Sequence, residues 1–600
     1  MIRKIIFIAF ALLFISPCFA QGKNNDALIK KINERPYPQW FKDAKLGIFI
    51  HWGLYSVPAY GSKESYGEWF LRGLQLEEPF RTNFMKNNYG QNFTYKDFAP
   101  LFKAELFDPD EWATLFKNAG AKYIMLVSKH HDGYALWPSK YNRNWNSVDV
   151  GPKRDIVGEL TNAVRRTGLK MGLYYSLAEW NHPLHRWYTD PHDNIGNYVD
   201  NYMIPQFKEL VSTYKPSLIF ADGEWFNSAK QWHSAELIDW YYNLVGEEAI
   251  VNNRWGGGID TGFLTPEYSA GIKVTNRPWA EVRGIGRSFG LNRNENLEAY
   301  GTSKELINRF IQTVANGGGM IINVGPKADG QIPLIQQERL IDLGNWLKIN
   351  RDAIYGSKPF TVNEEEKEVS VNRIDSQINF NWVRNSPMKG IKEDDFSISW
   401  IGYIVAPKSG NYTFEIKADD EAAVYIDGKL IINQNYTAKG SESEVMGANT
   451  SNITQGKIQL KGDVAYTIQI KYREKKQNAS IVLFWSSKGL EKQIVPTSAL
   501  FLDKEKLALG IKGTYTSLKT YLCYTQNKGK IYAISFEWPE DQLVLTIPSP
   551  GKQVNVKMLG LDKALSWTYN NGKMYIDTST ITYEEMPSHD AWTFEIQKSK

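Results

Sequence analysis

The chain has 600 residues, 42% hydrophobic and 23% charged, a globular composition with room for about three or four domains. A formal net charge of +4 is too small at this length to mark nucleic acid or an anionic membrane as partner. Aromatic residues reach 14%, with 20 Trp and 33 Tyr; rings with an apolar face and a polar edge suit ligands that carry both hydroxyls and C–H faces, such as sugars.

Arg3 and Lys4 precede an apolar run over 5–15 and then Ser16-Pro17-Cys18-Phe19-Ala20. This is the pattern of an export signal over 1–20 with a cut after Ala20, and it predicts a periplasmic or secreted protein. Lipidation at Cys18 is the alternative, disfavoured by Pro17 directly before it. The run is too short for a permanent anchor, and no later segment is long and apolar enough to span a membrane. Cleavage leaves Cys523 without a disulfide partner, and it reads as a buried small hydrophobe.

From about 40 to 350, apolar strands alternate with amphipathic helices. Strands are expected at 46–51, 123–128, 171–176, 217–221, 249–252 and 320–324. Helices are expected after Asp110, over 155–166 and 236–245, and from the capping box Thr302-Ser303-Lys304-Glu305. Repeated βα units over 21–358 predict a (β/α)8-like barrel. A doubly wound sheet is the alternative, but no Gly-rich dinucleotide fingerprint follows the first strand. Beyond Pro359 the pattern changes to short alternating strands such as 411–416, 423–426 and 466–470, with turns at Ser409-Gly410 and Asp427-Gly428. Residues 436–456 read as a long polar loop. All-β sandwich domains are expected over 375–501 and 510–600.

Polar and aromatic residues fall at five successive strand ends: His51-Trp52, Lys129-His130-His131-Asp132, Tyr174-Tyr175-Ser176, Asp222, and Asn252-Asn253-Arg254-Trp255. A barrel gathers such ends into one pocket. His51, His130 and His131 lack chelating spacing, so no metal is expected, and no GxSxG elbow points to a serine nucleophile. Glycoside hydrolysis needs two carboxyl groups with different tasks. Asp222, short and fixed at a strand end, suits a nucleophile. Glu68, Glu224, Glu267 and Glu281 are candidates for the acid, and spacing does not choose among them.

The segments HWG at 51, GEWF at 67, KHHDGY at 129, GPKRDIVGEL at 151, GLYYS at 172, VNNRWG at 251, TPEY at 265, RSFGLNRNE at 287 and NVGPKADGQIP at 323 together resemble the α-L-fucosidases of glycoside hydrolase family 29. The resemblance implies a barrel followed by a β-sandwich and a retaining, exo-acting hydrolysis of terminal α-L-fucosyl linkages, without a cofactor. It implies Asp222 as nucleophile and Glu267 as acid/base, with Glu281 as runner-up. It also implies His51, Glu68, Trp69, His130, His131, Tyr174 and Arg254 around the fucose hydroxyls, and Phe289 against the methyl group. The chain departs from the family pattern in three places. Phe220 stands where Trp is frequent, Asn253 where Asp is common, and Trp279-Ala280-Glu281 where many members have Trp-Glu.

Residues 409–431 and 495–501 resemble the protective-antigen-type β-sandwich module, inserted here between barrel and terminal sandwich, which implies a possible carbohydrate-binding role. Asp419-Asp420 reads as a structural turn rather than the Ca²⁺-holding pair of some relatives. The expected partner is a fucosylated glycan or glycoconjugate. Rival readings are a fucose-binding, lectin-like protein with an inactive barrel, and a related α-L-galactosidase. Linkage preference and oligomeric state stay open.

Overall fold

In the computed structural model, the described residues are 26–63, 65–185, 195–268, 275–383, 386–435, 452–475, 478–551 and 553–598. The expected export signal, Cys18 included, lies outside them. The chain forms two compact units, one of Met1–Asn363 with Cys523–Lys600 and one of Glu364–Leu522.

The first unit is built on seven parallel strands: β1 (Leu46–Ile50), β2 (Tyr123–Lys129), β3 (Lys170–Ser176), β4 (Leu218–Asp222), β5 (Ile250–Val251), β6 (Ala280–Gly284) and β7 (Gly319–Val324). Their order is β5-β4-β3-β2-β1-β7-β6. Between β5 and β6, residues 263–268 make parallel bridges to both neighbours, Asn252↔Phe263 on one side and Leu264↔Trp279 and Glu267↔Val282 on the other. An irregular stave therefore closes the curled sheet into the (β/α)8-like barrel.

Every strand is buried on both faces, so its period of two sorts side chains between two cores. Phe49, Met125, Val127, Tyr174, Leu218, Phe220, Ala280, Val282 and Ile321 fill the barrel interior. Ile48, Ile50, Ile124, Leu126, Leu173, Tyr175, Ile219, Ala221 and Ile322 pack outward. They meet helices α1 (Pro109–Asn118), α2 (Ile156–Arg166), α3 (Ile204–Tyr214), α4 (Ser234–Val245), α5 (Ser303–Ala315) and α6 (Leu334–Ile354).

The capping box at Thr302 and Glu305 forms as expected. At α1 the cap is Asp108 rather than Asp110. The Asp108 side chain accepts from the N–H groups of 110 and 111, and Pro109 occupies the first turn, where its missing N–H costs nothing. Strand β6 has no counterpart among the expected strands, because Glu281 and Arg283 break its apolar run.

The terminal sandwich belongs to the same unit as the barrel. Trp346 of α6 donates through Nε1 to the Ala591 carbonyl at 3.0 Å, and Cys523, Tyr532, Ile534, Phe536 and Leu559 join the outer core. Cys523 is fully buried there.

In the second unit, Phe396–Val405 pairs antiparallel with Ala465–Glu474, which pairs with Glu421–Ile426. Gly410–Asp419 lies between Asn452–Leu460 and Ala479–Ser487 in another sheet. Phe396, Trp400, Phe414, Ile416, Ile470 and Leu483 form its core. The hairpin at Asp427-Gly428 has both residues at positive φ, 47° and 74°, as a tight two-residue turn requires. Residues 452–456 correct the expected 436–456 loop: they are strand, and their alternation continues to Leu460. Residues 436–451 lie outside the described residues.

Candidate active site

Asp222 ends β4 on the same face as Leu218 and Phe220, so strand parity aims its carboxylate into the barrel mouth. Beyond the two residue pairs joining β4 to β5, the Asn252 side chain extends the ladder. It accepts from the Ala221 N–H at 2.9 Å and donates to the Ala221 carbonyl at 2.8 Å, which fixes the strand end beside Asp222.

Among the described residues, Tyr174, Arg254 and His131 meet the Asp222 carboxylate. Tyr174 OH donates to Oδ2 at 2.9 Å, Arg254 Nη1 donates to Oδ1 at 3.2 Å, and His131 Nε2 lies 3.5 Å from Oδ2. Burial works to raise its pKa. Arg254, then His131 and Tyr174, overcome that and hold the carboxyl well below the usual range. The other fork of Arg254 pairs with Glu267 on the irregular stave. One guanidinium thus binds both carboxylates. Its orientation is set by Phe220, whose ring centroid is 5.4 Å from Cζ, and by Thr265, which accepts from Nε at 3.2 Å and donates to Asn253 at 3.0 Å.

The histidines reach the pocket by different routes. In β2 a register shift between Val127 and Lys129 resets the alternation. Lys129 then points outward to Glu179 at 2.6 Å and Gln206 of α3 at 2.9 Å, and His130 turns inward to stack on Tyr174 at 5.7 Å. Burial, reinforced by His131, holds the His130 pKa well below its ordinary value, and its buried Nδ1 meets no hydrogen-bond partner among the described residues.

His51 lies 2.6 Å from Asn323 Oδ1 through Nδ1, and Asn323 Nδ2 donates to the Phe289 carbonyl at 2.6 Å. The amide direction therefore assigns the proton to Nδ1 and leaves Nε2 as an acceptor. Burial lowers the His51 pKa to about 3, so the ring is neutral. At His131, Ser176 Oγ gives its proton to the Ala178 carbonyl at 2.5 Å and so accepts from Nδ1 at 2.6 Å.

Glu68 is buried, and Oε2 accepts from the Gly290 N–H at 2.7 Å and from Ser288 Oγ at 3.2 Å, fixing the turn that carries Phe289. Burial raises its pKa to about 7. Phe289 stacks on His51 at 5.0 Å and meets Tyr66 and Tyr268, each at 5.4 Å, forming an apolar wall. Trp69 packs against Trp180, Trp225 and His131 at 5.1, 5.9 and 6.1 Å.

The structure thus gathers His51, Glu68, Trp69, His130, His131, Tyr174, Asp222, Arg254, Glu267 and Phe289. Glu281 is not among them. Period two places it opposite Ala280 and Val282, fully buried against α5, with Arg309 Nε at 3.2 Å and Thr313 Oγ1 at 3.0 Å. It cannot serve as the runner-up acid. Asn323 and Tyr66 belong to the site without having been anticipated. Applying the strand-end rule to β7 would have found Asn323, since it shares the inward face of Ile321.

A family model described as alpha-L-fucosidase matches residues 16–352. The chain belongs to the α-L-fucosidase family. Models described as the PA14 domain and the alpha-L-fucosidase C-terminal domain match 353–499 and 516–597. An alpha-L-fucosidase of Dictyostelium discoideum is 41% identical over 373 residues, covering 60% of this chain and 80% of its own length. The tissue alpha-L-fucosidase of Homo sapiens is 43% identical over 350 residues, covering 57% and 74%. The solved Thermotoga maritima alpha-fucosidase in complex with a mechanism-based inhibitor superposes with a TM-score of 0.62 at 26% identity, over 95% of this chain and 98% of that one. Membership makes this chain a glycoside hydrolase acting on α-L-fucosyl linkages. Among the described residues, no helix is long and apolar enough to cross a membrane.

Proposed function

We propose that this family member is a retaining, exo-acting α-L-fucosidase in which Asp222 is the nucleophile and Glu267 the acid/base. The observation that carries this reading is Arg254, whose fork holds the two carboxylates together beneath a ring of hydroxyl-binding side chains. Asp222, kept ionised, attacks the anomeric carbon, and Glu267 protonates the departing oxygen. In the second step Glu267 takes a proton from water, which attacks the glycosyl–Asp222 ester and restores the configuration. The Arg254–Glu267 ion pair suits that second step. The first needs the pair opened so that Glu267 can carry the proton.

Neutral His51 offers an acceptor at Nε2, and His130, His131, Glu68 and Trp69 complete the set for fucose hydroxyls. The Phe289–Tyr66–Tyr268 wall suits a methyl group better than the hydroxymethyl of an α-L-galactoside. A barrel that only bound fucose would have no need of two carboxylates on one arginine.

Asp222→Ala should abolish turnover on every substrate. Glu267→Ala should cripple natural fucosides but spare activated aryl fucosides, with azide restoring rate and the first-formed product keeping the α configuration by NMR. Equal loss on both substrate classes would remove Glu267 from its role.

The chain is further read as exported, on the strength of Arg3, Lys4, the apolar 5–15 run and Ala20. The mature protein should begin at Gln21, and an intact mass that retains residues 1–20 would refute export by cleavage.

A further inference from the structure

Besides Asp222, Glu267 and Glu68, one more carboxyl group stands next to the site. After Asp222 the chain turns sharply at Gly223, φ 80°, where a Cβ would come within 3.1 Å of Ser176 Oγ and 3.3 Å of His131 Cε1. The next residue is Glu224, and its backbone is clamped: its carbonyl accepts from the Asn227 N–H and from Trp232 Nε1, each at 3.1 Å. Its carboxyl oxygen Oε2 is buried and meets no hydrogen-bond partner among the described residues. Asp222, Arg254 and Glu267 are the charges that act on it.

A buried carboxyl oxygen beside the site, with no hydrogen-bond partner among the described residues, marks where a ligand's polar atom belongs. The loop after Glu224 is stitched to the loop that leads to Glu267: Ala229 N–H donates to the Gly257 carbonyl at 2.8 Å, and a Cβ on Gly256 would lie 2.7 Å from the Asn227 carbonyl. Glu224 and Glu267 therefore stand on one joined wall. The hydroxyls of the fucose ring already have donors and acceptors in His51, His130, His131, Glu68 and Trp69.

We propose that Glu224 is a specificity-determining residue of the leaving-group site, hydrogen-bonding a hydroxyl of the sugar to which fucose is attached. The inference rests on the roles given above to Asp222 and Glu267, because these define which side the leaving group occupies.

The test compares kcat/KM for a fucosylated disaccharide and for an aryl α-L-fucoside, whose leaving group has no sugar hydroxyl. Glu224→Ala should lower the disaccharide value about 10–100-fold, the worth of one hydrogen bond to a charged or strongly polar group, and lower the aryl value at least about tenfold less. Glu224→Gln, which keeps the shape and can both donate and accept, should recover much of the disaccharide rate and serves as the folding control. Equal losses on the two substrates, or no loss on the disaccharide, would overturn the assignment. If the unmodified enzyme cleaves neither substrate, the roles of Asp222 and Glu267 fall first. If it cleaves both and the ratio does not move, Glu224 alone is refuted.

Discussion

Replacing Arg254 by Met removes the group that, among the described residues, touches both candidate catalytic carboxylates. Asp222 loses a cation 3.2 Å away, with the arginine and aspartate side chains only 19% and 12% exposed, so solvent screens the loss weakly. An opposite charge at such range is worth about 1–3 pKa units, or about 1.4–4 kcal/mol. In the parent enzyme the depressed Asp222 value contributes stability that is present above the ordinary carboxyl pKa near about 4 and lost as pH falls through the depressed value. In the variant burial acts with less opposition, so the carboxyl moves up and ionised Asp222 is lost at higher pH. The acid limb of kcat/KM on an aryl fucoside should therefore shift upward by about 1–3 units. Arg254→Lys is the informative partner. It keeps a charge but cannot fork to two carboxylates, so its acid limb should stay nearer the parent's while its rate falls. An acid limb that does not move in Arg254→Met, whatever the rate, would refute the claim that Arg254 keeps Asp222 ionised.

Asn323→Leu should cost about 1–3 kcal/mol of transition-state binding, read as a fall in kcat/KM of about 5–150-fold, because His51 loses the partner that fixes its tautomer. Glu281→Ala strips the carboxylate from Arg309 in a buried cluster, so urea unfolding should show a loss of about 3–5 kcal/mol, without the leaving-group dependence expected of an acid/base variant. Glu68→Gln should change the pH dependence of stability. The folded carboxyl titrates at about 7, above its ordinary value, so the parent loses stability as pH rises between about 4.5 and 7 and the glutamine variant does not. Thermal melts across that range should show the gap growing in favour of the variant by up to about 3 kcal/mol. Replacing 364–522 by a short turn should leave a cooperatively folding enzyme, because the chain leaves and re-enters the first unit side by side, with Gln526 Nε2 donating to the Pro359 carbonyl at 2.8 Å and Thr525 Oγ1 to the Ala353 carbonyl at 2.7 Å. Loss of cooperative unfolding would show that 26–363 with 523–598 is not self-sufficient.

The barrel was legible because strands buried on both faces read as apolar runs that stop at a polar residue. Asp222 and His51 are such stops. Strand β6 was not legible, because its outward face carries Glu281 and Arg283, which pair with each other, and Arg309 of α5, which also meets Glu281, is brought near only by the fold. The same parity misled the reading of Glu281, whose neighbours in sequence point inward while it points out. Lys129 shows the opposite difficulty. Alternation from Tyr123 would aim it into the pocket, and a single register shift hands that place to His130. Shifts of this kind depend on neighbouring strands, and a pattern along one strand does not contain them.

Asp222, Glu224 and Glu267 are acids of similar chemistry around Arg254, and their surroundings rather than their types divide the work. Asp222 is buried, yet it is held ionised because an arginine, a histidine and a tyrosine all converge on it. Glu224, two residues on, has its carboxyl buried without any such convergence, and burial together with the Asp222 charge raises its pKa to about 7. Its proton state is thus set partly by Asp222 itself. Neutralising Asp222, as formation of a glycosyl ester would, removes a repelling charge and makes Glu224 easier to ionise. Arg254 pairs with both Asp222 and Glu267, and the charges of all three act on Glu224. The single glycine between Asp222 and Glu224 makes the arrangement possible: its turn at φ 80° takes the chain out of the strand, so Glu224 feels the Asp222 charge from a loop, where strand geometry alone would have left it further along the same row.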